Sequence, residues 1–158
     1  MRKVSLMLFS CIMMVVACHK KDAPPVEPTT LAEVCTEKFG PYYDERKHSR
    51  YHRVSFEGYL ATPRSAMISN TMFVEVHAGP NRAGKPLLAS FRVGGGKNQV
   101  ERLKSGYKES DLKIESNSGQ DLGNGSKVNL VADVSPGGVP GKWQDGCYVR
   151  VETVEKAP

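Results

Sequence analysis

Three side chains that could bind a metal ion recur at intervals of four residues: Asp44, His48 and His52. On a continuous helix this spacing would place one carboxylate and two imidazoles on the same face, and zinc accepts both kinds of ligand. The segment from Asp44 to Tyr51 is highly charged, has no clean helical period and offers no fourth ligand. We therefore expect an exposed polar connector here, with no metal and no cofactor.

A second pattern has part of the spacing of a phosphate-binding loop. Residues 79–85 read GPNRAGK, with the glycines and lysine that such a loop uses to hold phosphate. The next residue is Pro86, where the motif requires a Ser or Thr hydroxyl, and the chain then alternates as a strand instead of starting a helix. The segment is predicted to be a hairpin loop, and nucleotide binding is not expected.

Motifs for catalysis are sparse. The sequence has no Gly-x-Ser-x-Gly elbow and no His-Glu-x-x-His pair. Its carboxylates could form a glycosidase pair in principle, but a small β-domain has little cleft in which to raise the pKa of a carboxylic acid. We expect a protein without enzymatic activity, and an envelope hydrolase remains an alternative.

The N-terminus has the features of an export signal. Arg2 and Lys3 precede an apolar stretch that is shorter than the ~20 residues of a membrane-spanning helix. The stretch ends in residues 15–18, VVAC, which resemble the lipobox of bacterial lipoproteins. The resemblance implies that residues 1–17 are a signal peptide and that Cys18 receives lipid, such as palmitate. The alternative is an ordinary secretory signal that leaves Cys18 unmodified.

The residues after Cys18 suit a membrane tether. Residues 18–30 are polar and contain three prolines, so they are predicted to extend roughly 30 to 40 Å at about 3.1 Å per residue. In the lipoprotein family an Asp directly after the acylated cysteine favours retention in the inner membrane. Here His19 takes that position. The resemblance therefore implies a lipid anchor in the outer membrane, with the protein facing the periplasm.

The charge balance does not favour nucleic acid as the partner. The chain has 158 residues, with 22 Lys and Arg against 17 Asp and Glu. Loss of residues 1–17 removes Arg2 and Lys3, which leaves 20 basic residues dispersed among the acids. Nucleic-acid-binding proteins usually cluster such residues in a stripe. Residues 31–158 have the size of a single domain.

Two cysteines remain if Cys11 leaves with the signal and Cys18 carries lipid. Cys35 and Cys147 lie near opposite ends of the domain. In an oxidising compartment such a pair suggests one disulfide. By closing a long loop it would stabilise the folded state by up to about 4 to 5 kcal/mol in the chain-entropy model. Two separately buried thiols are the alternative.

Hydrophobic periodicity predicts a mainly β domain. A short helix is expected over Leu31–Phe39, where Thr30 and Glu33 have capping-box spacing. Period-two alternation then predicts five strands: Arg53–Ala61, Thr71–Ala78, Pro86–Val93, Lys127–Val134 and Gly146–Val154. Between the third and fourth, Asn98–Lys104 could form a short helix and Leu112–Ile114 a minor strand. Gly58 lies where the first strand could bend or bulge.

This order of elements resembles an OB-fold, a partly open five-stranded barrel. The resemblance rests on residues 53–60, RVSFEGYL, as a bent first strand and on residues 125–134, GSKVNLVADV, as the fourth strand. The long connection between the third and fourth strands and the preceding helix depart from the minimal pattern. A small β-sandwich is the alternative.

The OB-fold resemblance implies a binding face on the second and third strands and on two loops. The residues that would lie there are Phe73, Glu75, His77, Ser90, Arg92, Arg64, Lys142 and Trp143. Trp143, the only tryptophan, lies in a glycine-rich loop and could anchor a contact or cover the barrel end.

These observations together predict a lipid-anchored, non-catalytic binding module for an envelope protein or glycan. An oligonucleotide-binding OB domain is the alternative from another class of function.

Overall fold

Alternating apolar residues build five long strands, which form the centre of the molecule. The computed structural model describes residues 23–39, 52–64, 69–135 and 146–158. The strands are β1 (Arg53–Ala61), β2 (Thr71–His77), β3 (Leu87–Val93), β4 (Lys127–Ser135) and β5 (Tyr148–Lys156). The first has the predicted bounds, and the others begin and end within two residues of theirs. The period-two pattern therefore located all five correctly.

The pairing of these strands closes the sheet into a barrel. β1 pairs antiparallel with both β2 and β4, and β2 pairs antiparallel with β3. β5 pairs antiparallel with β4 and parallel with β3. Each strand thus has a neighbour on either side, as closure requires. The fold is an OB-like barrel and not the alternative sandwich.

The inward-facing side chains of all five strands fill the barrel. Phe56, Met72, Phe91, Leu130 and Val149 are at most 2% exposed and belong to one continuous hydrophobic cluster. Burial of a side chain of this size contributes roughly 1.5 to 3 kcal/mol. This core holds the strands in place and so fixes the backbone positions from which the side chains of their outer faces project.

Gly58 allows close packing where β1 begins to pair with β2. It stays in register opposite Val128, so the predicted bulge is not there. A Cβ at this position would collide with the side chain of Val76 and approach Leu31 Cδ1 to 3.1 Å. The irregularity lies in β5 instead, where Glu152 is an extra residue between the pairs of β4 and β5.

The segment before β1 lies against the barrel without forming an α-helix. Glu27–Pro28 forms a two-residue strand parallel to β1, and Thr29 N donates to Ser55 O at 2.9 Å. The expected helix over Leu31–Phe39 is a series of turns that ends in the 3₁₀ helix Glu37–Phe39. Nine residues form too few hydrogen bonds to offset helix nucleation. Within the described ranges, no helix has the length and apolarity needed to cross a bilayer.

The predicted disulfide is present. Cys35 and Cys147 are bonded, with their Cα atoms 6.0 Å apart. The bond ties the turns before β1 to the residue that precedes β5, across 112 residues of sequence. It therefore fixes the N-terminal segment to the barrel.

The connection from β3 to β4 forms a small extension of the sheet. It contains the strands Gln99–Val100, Ile114–Glu115 and Asp121–Leu122 and the 3₁₀ helix Glu109–Asp111. The minor strand is present, shifted from its predicted position.

The helix predicted over Asn98–Lys104 is wrong. Val100 and Leu103 are buried three residues apart, a spacing that also suits a helix face. Asn98 has a left-handed backbone with φ of 60°, and Val100 pairs with Ile114 in the sheet.

Candidate binding face and a buried ion-pair network

A band of outward-facing side chains crosses all five barrel strands. Phe73 of β2 lies opposite Ser90 of β3, and Ser90 lies beside Arg150 of β5. The band continues from Arg150 to Asp133 of β4 and from Asp133 to Arg53 of β1. Side chains on directly paired residues lie about 5 Å apart. The band therefore joins an aromatic ring at one end to alternating charges at the other.

Phe73 has an aromatic partner from β5. The rings of Phe73 and Tyr148 lie 5.2 Å apart with an interplanar angle of 87°, an edge-to-face contact. Leu88, which is 40% exposed, is paired with Tyr148 across the strands. We call the two aromatic rings and the adjoining Leu88 the aromatic patch. The sequence analysis missed Tyr148, although the alternation of the inward-facing Cys147 and Val149 could have placed it on the outer face.

A polar groove of about 420 Å³ lies beside the aromatic patch on the outer face of the barrel. We refer to it as the outer-face groove. Its lining residues come from four barrel strands, the turn after β3 and the short strand Gln99–Val100: Thr71, Ser90, Arg92, Lys97, Asn98, Gln99, Asp133, Arg150, Val151 and Glu152. Two of the predicted binding residues, Ser90 and Arg92, therefore lie in one cavity.

Arginines lie beside the carboxylates of the groove. Glu152 Oε2 accepts a hydrogen bond of 2.7 Å from Arg53 Nε and also pairs with Nη2 of that guanidinium. This hydrogen bond raises the pKa of Arg53. Burial raises the pKa of Asp133, and the charge of Glu152 raises it further, while Arg150 and Arg53 act in the opposite direction. The groove thus presents carboxylate acceptors and guanidinium donors side by side.

Glu75 and His77 belong to a buried network at the end of β2. His77 Nε2 lies 3.0 Å from Glu75 Oε2, and the two side chains are only 4% and 11% exposed. Arg82 Nη1 donates to the same carboxylate oxygen. Arg82 Nη2 donates to Thr62 O at 2.7 Å and to Glu109 Oε1 at 2.8 Å, and Nε donates to Glu109 at 3.3 Å. We call these five residues the buried network after its buried members Thr62, Glu75 and His77; Arg82 is half-buried and Glu109 is exposed.

The hairpin loop of residues 79–85 supplies the arginine of this network. The loop joins β2 to β3 as predicted, and Asn81 and Arg82 have φ values of 55° and 59°. A left-handed backbone is uncommon for residues other than glycine. In this conformation Arg82 reaches Glu75. A strand follows the loop at Leu87, so no helix N-terminus is available there to hold phosphate.

The prediction that Glu75 and His77 lie on an exposed face is wrong. Alternation correctly placed them on the outer side of β2 with Phe73, but Arg82 and Glu109 cover this end of the strand. Glu75 is 8% exposed and His77 is 3% exposed. Because Glu109 is distant in sequence, the period of β2 alone could not reveal this cover.

The other predicted site residues do not join the band. Arg64 is exposed, three residues after β1 ends. Lys142, Trp143, Cys18, Asp44 and His48 lie outside the described residues.

His52 packs its ring against Phe39 at 5.5 Å, and its Nδ1 lies 3.7 Å from Glu27. In the part of the chain that the structure describes, no three His, Cys, Asp or Glu residues are grouped so as to hold a metal ion.

Comparisons with known proteins do not assign the chain to a family. No protein-family model matches the sequence. No curated protein matches it significantly either. Among solved structures, it is similar to a chain assigned as an aspartyl-tRNA synthetase from Leishmania major Friedlin, with a TM-score of 0.44 and 14% identity. The match covers 90% of this chain and 22% of that chain.

Proposed function

We propose that this protein is a lipid-anchored, non-catalytic binding module of the bacterial cell envelope, whose outer barrel face docks an envelope glycan or protein. The observation that carries this proposal is the band that joins the Phe73–Tyr148 contact to the outer-face groove. OB-like barrels bind ligands on the same face. An aromatic pair supplies contact area, and the polar groups beside it can orient a ligand.

The lining of the groove favours a glycan over a protein. Its volume of about 420 Å³ lies within the range of small-molecule sites. Nine of its ten lining residues are polar or charged, whereas the centre of a protein interface is depleted in charge. Carboxylates such as Asp133 and guanidinium groups such as that of Arg150 can exchange hydrogen bonds with sugar hydroxyls. Protein docking would rely mainly on the aromatic patch.

The surroundings of the acidic groups support a role without catalysis. A histidine beside a carboxylate, as in His77 and Glu75, is an arrangement that general acid–base catalysis uses. Here both groups are buried, and Arg82 already forms an ion pair with the carboxylate of Glu75. In the groove, Arg53 holds Glu152 as an ion pair. Asp133, the other carboxyl group of the groove, has a raised pKa, but it lies between Arg150 and Arg53, whose charges oppose that rise.

The proposed anchor is Cys18, on the strength of its lipobox-like context. Because Glu27–Pro28 pairs with β1, at most residues 18–26 can separate the proposed anchor from the barrel. Fully extended, these residues would reach roughly 28 Å at 3.1 Å per residue. The barrel would therefore work close to the membrane surface.

Metabolic labelling with palmitate tests the anchor. The full-length chain produced in a bacterium is expected to take up the label, and Cys18→Ser is expected to lose it because the acylated sulfur is gone. Cys11→Ser is the matched control, since it also removes a cysteine near the N-terminus. Label retained by Cys18→Ser would refute the anchor.

Hydroxyl-radical footprinting tests the binding face. The full-length protein would be oxidised with and without a solubilised cell-envelope fraction, and oxidation would be measured for each side chain. Phe73, Leu88 and Tyr148 are expected to be protected. Tyr107, which donates to Pro63 O away from the band, is expected to react unchanged. Protection that spares the aromatic patch would contradict the proposal.

A further inference from the structure

The outer-face groove carries an excess of positive charge. Glu152 is held by Arg53, and Asp133 lies between Arg150 and Arg53 in the paired strands. The two acids thus already have arginines around them. The other cations that line the groove add to its positive charge.

Arg92 and Lys97 are these additional cations. Both side chains are exposed and line the groove. Among the described residues neither takes part in an ion pair. Arg92 follows Ser90 on the same face of β3, about 7 Å further along the strand. Lys97 follows Gly94–Gly96, which carry no side chains to screen it.

Resting on the proposed function, we infer that the ligand of the outer-face groove is an acidic saccharide. Its carboxylate or phosphate binds Arg92 and Lys97, since a guanidinium fork and an ammonium group both suit these anions. Its hydroxyls donate to Asp133, which is half-buried in the groove. One face of a sugar ring packs on the aromatic patch.

The same groove is less suited to single-stranded nucleic acid. Such a strand carries a phosphate at every nucleotide, and its binding grooves are basic along their length. Here the carboxylates of Asp133 and Glu152 are part of the lining. Carboxylates repel phosphates but accept hydrogen bonds from sugar hydroxyls, so the mixed lining favours a saccharide with few charges.

A saccharide array tests the inference. The array would carry neutral oligosaccharides, their uronate-containing and phosphorylated counterparts, and a single-stranded oligothymidylate. The full-length protein would be compared with Arg92→Gln/Lys97→Gln. Lys85→Gln/Lys113→Gln removes the same charge at exposed positions outside the groove and is the matched control. Phe73→Ala/Tyr148→Ala tests the binding face without a change of charge.

We expect binding to acidic saccharides, a loss of roughly tenfold or more in Arg92→Gln/Lys97→Gln, and little change in the lysine control. The array separates uronate from phosphate as the source of the charge. If neutral and acidic saccharides bound equally well, and only Phe73→Ala/Tyr148→Ala weakened binding, the acidic ligand would be refuted. The proposed binding face would then still stand. Binding of oligothymidylate alone, or of nothing on the array, would overturn the saccharide.

Discussion

The buried network and the outer-face groove use the same residue types, arginines beside carboxylates, but they differ in how far these groups are paired. In the network, each guanidinium nitrogen of Arg82 donates to a protein acceptor. In the groove, Arg92 and Lys97 have no ion-pair partner among the described residues. Complete pairing of Arg82 around the buried Glu75 indicates a structural role, whereas cations without an ion-pair partner on an exposed surface are available to bind a ligand.

The two regions also differ in what holds them. The network joins the end of β1, the hairpin loop and the turn at Glu109, where Thr62 Oγ1 also donates to Glu109 O at 2.9 Å. Thr62 N donates to Asn124 Oδ1 at 2.9 Å as well. The groove instead lies mainly on continuous strands of the closed barrel. Loops are thus held by hydrogen bonds at one site, and strands present the ligand face at the other.

The largest expected effect is on stability, from Arg82→Ala. Without the guanidinium, the buried carboxylate of Glu75 loses its hydrogen bond from Arg82, so we expect the free energy of unfolding to fall by roughly 2 to 4 kcal/mol. Urea denaturation gives this value. Arg92→Ala is the control in the groove, expected within about 0.5 kcal/mol of wild type. If Arg82→Ala and Arg92→Ala lowered the free energy of unfolding equally, the buried network would be no more structural than the groove.

A smaller effect is expected on binding, from Phe73→Ala. Removal of the ring takes away half of the edge-to-face contact, and we expect roughly tenfold weaker binding to the envelope fraction, or about 1.4 kcal/mol. Biolayer interferometry would measure the change. Tyr59→Ala, which removes a half-buried ring of β1 beside Arg82, should bind as wild type does. A stronger effect of Tyr59→Ala would place the site at the other region.

The smallest effect concerns pH and Asp133. Burial, and then Glu152, raise the pKa of Asp133, so between the unfolded pKa of about 4 and the higher folded pKa this carboxyl group is more protonated in the folded protein than in the unfolded chain. Stability is therefore lost as pH rises through that window. Asp133→Asn should be more stable at neutral pH by less than about 1 kcal/mol, because solvent screens this partly exposed group.

Urea denaturation at pH 3 and pH 7 measures this gain, which should be absent at the lower pH. In 1 M salt the contribution of Glu152 should shrink while that of burial remains. A variant less stable than wild type at pH 7 would mean that Asp133 is a stabilising partner of the arginines.

The sequence predicted the barrel strands well, for a physical reason. A strand buried on one side must alternate, and in β1 the apolar residues Val54, Phe56 and Leu60 make this pattern visible. The short helix and the segment after β3 were less predictable. Val100 and Leu103 fit a helix face or a sheet equally well, and only the pairing with Ile114 decides between them.

The sequence predicted only part of the candidate site. Some of its residues are placed by the pattern of a single strand, whereas others depend on contacts between distant segments. The outward positions of Phe73 and Arg92 follow from the alternation within β2 and within β3, respectively. The contact of Phe73 with Tyr148 depends on the way β2, β3 and β5 come together, since β5 lies far along the chain. The burial of Glu75 depends on Arg82, which reaches it from the hairpin loop, and on Glu109 of a 3₁₀ helix, which binds Arg82. Such non-local contacts leave no periodic signal in the sequence.

The most direct measurement is an aromatic-region NMR titration of the ¹³C-labelled full-length protein with the envelope fraction. One spectrum then reports on both regions. If the outer face binds the ligand and the buried network is structural, the ring signals of Phe73 and Tyr148 shift while that of His77 stays in place. A shift confined to His77 would contradict this account.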